Sequence, residues 1–268
     1  MMGMLRLFFT PLLLICLLNT IGYTDQVVRL AAGQNYYPYY AEDLEDGGFI
    51  TKVIVSAFNK MGYRVEVEFV PWARATHLVK TGAADGIYSI WFRKDRESWV
   101  AFSDPLYSNI TMILKRKETS VVYKTLLDLT PYTIGIVRGY SYTERFNNAT
   151  YLNKIYVTDN LQNIKLLKLK RLDLILIDQM VGSYLIHSEP ELAGVEFEWL
   201  EPPLESLQIH VGFSKKVKDY LSLVNTFNEG LMKIKADGTY DAIVNKANSH
   251  YGGFCLFPRK VQQEENLN

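Results

Sequence analysis

The chain has 268 residues, and its 29 Lys and Arg are balanced by 29 Asp and Glu. No basic block or stripe is present, so a nucleic-acid surface built on phosphate neutralisation is excluded. The four histidines (His77, His187, His210 and His250) have no ligand-pair spacing and the two cysteines no CxxC partner, so no metal site or cofactor is expected.

The first 24 residues read as a signal peptide. Arg6 supplies a basic start, residues 7–18 are apolar, and Asn19–Thr20 form a polar exit. An apolar run of about 12 residues suits an export signal and falls short of the roughly 20 that cross a bilayer. Cleavage after Gly22 or Thr24 leaves about 245 residues, enough for one large domain or two lobes. Cys255 is then the one cysteine left, which rules out an intramolecular disulfide. No later stretch reaches membrane-span length, so the mature chain is expected to be soluble and extracytoplasmic.

Residues 27–32 (VVRLAA) read as a strand running into Gly33. Gly47-Gly48 open a helix over 49–61, with apolar residues at spacings of three and four, closed by Gly62. Residues 64–70 alternate as a half-covered strand. Pro71 starts a helix to Lys80, and residues 85–90 (DGIYSI) form a third strand. This alternation predicts βαβ units and a parallel sheet. The pattern recurs downstream, with strands at 133–137 and 154–157 and a helix start at 141–147. A helix at 160–170 then leads to the apolar strand 172–177 (LDLILI), buried on both faces. A helix from Asp178 to about His187 follows, then strands at 196–200 and 208–213 and helices at 216–236 and 240–248. Crossing segments near 111–117 and 208–214 suggest two lobes and a hinge. The tail from residue 253 is polar apart from residues 254–257.

The stretch KTGAADGIYSIWFRKDRESWVAFSDPLY, residues 80–107, carries a resemblance. With Tyr37-Pro38-Tyr39, Gly139, RLDLILID (171–178) and ADGTY (236–240), it resembles the family-3 extracellular solute-binding proteins over residues 27–251. The resemblance implies an α/β fold of the type II periplasmic-binding kind. That fold has two lobes, each a mixed, mostly parallel sheet flanked by helices, joined by a two-segment hinge. The expected boundaries are 25–113 with 209–252 for lobe 1, 114–208 for lobe 2, and 253–268 for the tail. The function implied is capture of a small polar solute, such as an amino acid, by lobe closure, and its delivery to an ABC permease by a periplasmic monomer.

A zwitterion needs a cationic fork, a carboxylate and a wall for its side chain. Arg96 aligns with the family's carboxylate-binding arginine, and a guanidinium offers planar bidentate bonds; the alternative is a solvated arginine in a charged cluster, with Arg93 the fallback if the register slips. Asp178 resembles the ammonium-binding aspartate and lies where open α/β sheets bind ligands; it is equally an N-cap. Gly139, Tyr140 and Ser141 stand at a strand-to-helix turn whose backbone N–H groups would hold a carboxylate, or form a plain tight turn. Tyr36, Tyr39, Trp72 and Trp91 are candidate aromatic walls, Trp72 alternatively core, and Ser89 and Arg74 are weaker cleft candidates. Two positions depart from the family pattern: Gly33 replaces an early acidic residue, and Trp91 replaces a small hydroxyl residue five positions before the arginine. A sensing module for a signalling partner is the second reading. An enzyme on the same fold is the third, disfavoured because no histidine or nucleophile motif accompanies Arg96 or Asp178.

Overall fold

The computed structural model describes residues 26–251 except Ser141. The signal peptide, Ser141, Cys255 and the tail expected from the sequence lie outside the described residues. β1 (Gln26–Ala32), α1 (Phe49–Asn59), β2 (Tyr63–Phe69), α2 (Trp72–Thr81) and β3 (Gly86–Trp91) alternate as the sequence predicts. α1 buries Phe49, Ile50, Val53, Ile54, Ala57 and Phe58, a single helical face. β1 runs parallel to β2 on one side and to β3 on the other. β2 alternates between partly buried and exposed residues, with Arg64, Glu66 and Glu68 outward at an edge of the sheet, where charge discourages further pairing.

After β4 (Val100–Phe102) and β5 (Tyr107–Arg116), a second unit follows: β6 (Thr133–Val137), α3 (Glu144–Asn148), β7 (Asn153–Val157), α4 (Asn160–Lys168), β8 (Leu174–Asp178) and α5 (Gln179–Ser188). Here β6 lies parallel to β7 and β8. β9 (Phe197–Ser214), α6 (Tyr220–Ala236) and α7 (Thr239–Tyr251) complete the described chain. The strands join in the order β2-β1-β3-β9-β5-β8-β6-β7, with β4 on β9. The two parallel groups are thus carried by one antiparallel pair, β5 and β9, through antiparallel contacts β3–β9 and β5–β8.

Several elements differ from the sequence reading. The strands expected at 196–200 and 208–213 are one strand of 18 residues. Pro202 and Pro203 lack amide protons, so the pairing with β5 skips from Leu200 to Glu205 while the strand continues past them. The turn residues hid that continuity. β5, expected only as a crossing segment, is a full strand with five buried residues at its end. α3 starts at Glu144, where the Thr143 side chain accepts the Phe146 N–H. Gly139 and Tyr140 therefore precede the helix and do not form its N-terminus. α6 starts at Tyr220, four residues later than expected.

α6 lies against α1 so closely that a Cβ on Gly230 would fall 2.1 Å from the Ala57 carbonyl oxygen. The obstructing atom is backbone and has nowhere to move. Gly230→Ala is expected to destabilise the fold by about 1–3 kcal/mol, the usual scale of overpacking, read as a lowered thermal midpoint. An unchanged midpoint would show that the two helices separate freely.

Candidate functional site

Asp178 closes β8 and caps α5. The strand LILID is buried up to its last residue, which brings the carboxylate to the carboxyl end of a parallel strand. One oxygen accepts the Val181 N–H at 3.0 Å, satisfying a donor that the first helical turn leaves free. Tyr39 donates its hydroxyl across both carboxylate oxygens, at 2.9 and 3.0 Å. Asn109 donates from Nδ2 at 3.2 Å. No lysine, arginine or histidine among the described residues pairs with this carboxylate. Burial pushes its pKa up to about 6, against the pull of these hydrogen bonds. The Tyr36 and Tyr39 hydroxyls are raised well above 10, first by burial and then by the Asp178 charge. Both remain protonated donors through neutral pH.

Arg96 lies in a 3-10 turn, Lys94–Ser98, that follows β3. Its Nη1 donates to the Trp91 carbonyl at 2.8 Å, and no carboxylate among the described residues lies within ion-pair distance of it. Burial lowers its pKa, with the Arg93 charge adding to the effect; a guanidinium nonetheless stays charged. Arg93 instead pairs with Asp95 at 3.0 Å on the surface. Of the two arginines, Arg96 alone is both half-buried and free to receive an anion with its remaining donors.

The Trp91 indole donates from Nε1 to Asn109 Oδ1 at 3.0 Å. Its ring is thus oriented by a polar bond as well as by packing. Ser89 occupies a left-handed conformation, φ 56°, where the β3–β9 register shifts between Tyr88 and Ile90. Its hydroxyl is buried without a protein partner. Strain and an unpaired polar atom at one residue are features that cluster at binding sites.

Tyr36 stacks on Tyr39, with centroids 5.0 Å apart and planes 12° apart, and tilts against Tyr40. Trp72 opens α2 and is 39% exposed, which corrects its alternative reading as core. A Cβ on Gly33 would meet the Tyr40 hydroxyl at 2.9 Å and the Trp72 ring at 3.5 Å. The space an acidic side chain would need at position 33 is therefore taken by these aromatic groups. Tyr140, half-exposed, lies near enough to Tyr36 and Tyr40 to raise their pKa values. Its own hydroxyl is 3.5 Å from Asn160. Gly139 sits in the open turn after β6 at φ 81°.

The structure thus brings Asp178, Tyr36, Trp91 and Arg96 into one connected group, with Ser89 on the same strand as Trp91. Trp72 and Tyr140 stand on its aromatic flank, and Gly139 serves as the turn beside Tyr140. Tyr39, expected as a wall, is only 1% exposed and acts through its hydroxyl instead. Asn109 was not foreseen. In YSNITMIL it stands among Ser108 and Thr111, and nothing in that pattern sets it apart. Asp173 accepts the Thr133 N–H and hydroxyl.

Residues 28–250 match the family described as Bacterial extracellular solute-binding proteins, family 3. The chain belongs to this family. It is 28% identical over 229 residues to a probable histidine-binding protein of Campylobacter jejuni, covering 83% of this chain and 85% of that one. It is 27% identical to the lysine/arginine/ornithine-binding periplasmic protein of Escherichia coli, covering 82% and 87%. Among solved structures, the second substrate-binding domain of Lactococcus lactis GlnP, in an open conformation, superposes with a TM-score of 0.68 at 21% identity, covering 84% and 96%. That likeness is one of fold, the type II periplasmic-binding architecture.

The helix cap and the buried charge of Asp178 separate by mutation. Asp178→Asn keeps an acceptor for the Val181 N–H, whereas Asp178→Ala removes the cap, worth about 1 kcal/mol, and leaves the Tyr39 and Asn109 donors unpaired. At pH 7 the Ala variant is expected to melt below the wild type and the Asn variant at or above it. Equal losses would show that the cap contributes nothing. The folded carboxyl holds its proton up to about 6, against 3.8 for an unperturbed aspartate. Stability is therefore expected to fall as pH rises through that window, a slope that Asp178→Asn abolishes.

Proposed function

We propose that this protein captures an amino-acid-like zwitterion between its lobes in the periplasm and delivers it to an ABC permease. The observation that carries the reading is the pairing of an unneutralised, half-buried guanidinium with a carboxylate held by neutral donors, one on each parallel group. Arg96 takes the ligand carboxylate as a bidentate fork. Asp178 takes the ammonium: the Tyr39 proton is shared between both carboxylate oxygens and can settle on one, leaving the other to the ligand. Ser89 adds a hydroxyl to the carboxylate side. The open turn of Gly139 and Tyr140 closes over the ligand from the second lobe.

Tyr36, Tyr40, Trp72 and Tyr140 receive the ligand's side chain. With no acid at Gly33, a cationic side chain meets aromatic faces instead of a carboxylate, an attraction worth about 0.5–2 kcal/mol. The names of the relatives, binders of histidine and of lysine, arginine and ornithine, favour this class of solute. The lobes are residues 25–113 with 209–252, and 114–208, and β5 and β9 form the hinge. Binding followed by lobe closure requires no covalent chemistry, so the protein is read as a monomeric carrier and not as an enzyme.

Calorimetric titration of the exported chain with L-arginine, L-histidine, L-lysine and L-glutamine tests this. Binding of at least one is expected, weakened about 100-fold or more in Arg96→Ala, the scale of losing one partner of a desolvated ion pair. Absence of heat with every zwitterion would sink the reading. The ionised form of Asp178 accepts the ammonium, so affinity is expected to be full above its midpoint of about 6. Below that midpoint it is expected to fall by about tenfold per pH unit.

A further inference from the structure

Asn109 lies on β5, opposite Leu207 of β9, and is 5% exposed. Its amide stands between two groups of opposite hydrogen-bonding character. The Trp91 indole N–H can only donate, and an ionised carboxylate can only accept. One orientation of the amide satisfies both, with Oδ1 towards Trp91 at 3.0 Å and Nδ2 towards Asp178 at 3.2 Å. The flipped amide would set donor against donor and acceptor against acceptor, so its orientation is fixed by chemistry.

The bonds continue in both directions. The Trp91 carbonyl accepts from Arg96, and Asp178 accepts from Tyr39. One chain of polar contacts therefore runs from Arg96 through Trp91 and Asn109 to Asp178 and Tyr39. It passes from the first parallel group, over the crossing strand, to Asp178 on the second, and Tyr39 of the β1–α1 loop returns it to the first. Trp91, the bulky departure from the family pattern, has its indole N–H committed to this chain and not to a ligand.

We propose that Asn109 is a positioning residue that turns its amide N–H to Asp178 and holds that carboxylate ionised for the ligand's ammonium while Arg96 takes the other end of the zwitterion. The proposal rests on the reading in which Asp178 takes the ammonium. The titratable groups facing Asp178 are Tyr36 and Tyr39 from the β1–α1 loop and Tyr140 from the turn after β6. α5 brings the backbone N–H groups of Met180 and Val181. None of these changes charge between pH 5 and 8. Glu205 of β9, across Thr111 of β5 from Asp178, also has its carboxyl raised by burial, so proton uptake is read from the Asp178 carboxyl itself, and Asn109 is the neutral side chain on β5 that opposes it.

The test is carboxyl carbon NMR of the full exported chain, ligand-free and labelled at aspartate. The Asp178 signal is assigned by its loss in Asp178→Asn. Asn109→Leu is expected to raise the Asp178 midpoint by about one pH unit, the scale of one lost hydrogen bond to the charged form. Trp91→Phe, which keeps an aromatic ring and frees the amide to turn, is expected to shift it less and in the same direction. Adding Trp91→Phe to Asn109→Leu should then do nothing more. An unmoved midpoint in both single variants overturns the proposal, and Trp91→Phe alone decides if Asn109→Leu does not fold.

A second readout is the Kd for L-arginine. Asn109→Leu should weaken it about tenfold at pH 5.5 and converge on wild type at pH 8. Equal weakening at both pH values would mark a merely structural role and overturn the proposal. If wild type binds no L-arginine while the midpoint shifts as expected, the positioning stands and the ligand reading falls.

Discussion

An ionised carboxylate removed from water demands compensation, and at Asp178 that compensation comes from neutral donors. A cation would have satisfied the charge more strongly and left nothing for a ligand. Backbone N–H groups of α5, the Tyr39 hydroxyl and the Asn109 amide hold it in place while its charge stays uncancelled. Arg96 is treated alike: its contact is a carbonyl, and the nearby acid Asp95 is taken by Arg93. Two opposite charges, each solvated by dipoles and neither neutralised, form the arrangement on which a zwitterion site depends. Tyr36 and Tyr39 beside Asp178 are buried with it, and removal from water strengthens its field.

That arrangement exists because of the sheet. Two parallel groups each deliver residues at their strand ends, β3 leading to Arg96 and β8 ending at Asp178. The antiparallel pair β5 and β9 joins them through hydrogen-bonded ladders. Asn109 sits on that pair. The β1–α1 loop adds Tyr39 and Tyr37, the latter stacked on Tyr184 of α5, so the loop of one group packs on the helix of the other.

Much of the fold was legible. The apolar spacing of residues 49–58, the alternation of 63–69 and the unbroken apolar run before Asp178 each report a burial pattern that local geometry enforces. The Phe-Ser-Asp-Pro segment and its ordered companions pointed to the family. The illegible parts have physical causes. Pro202 and Pro203 resemble a break, yet β9 tolerates them because its partner strand skips the positions they cannot bond. The first turn of α3 was misplaced because hydroxyl residues precede it at several positions, and the one that caps it, Thr143, is known from its bond to the Phe146 N–H.

At the site, the sequence by itself singled out Arg96 and Asp178 as candidates for a charged pair, because they stand at recognisable offsets from FSDP and from an apolar strand. It also determined that aromatic residues would surround them. Only the tertiary structure decided which groups hold those charges. Asn109 and Asp178 are 69 residues apart, and Tyr39 and Asp178 are 139 apart. Hydrogen bonds over such separations leave no periodicity in a sequence, since they arise from strand order and register and not from local spacing. For the same reason Tyr39 read as a wall: an aromatic ring announces burial, but the direction of its hydroxyl is set by the fold around it.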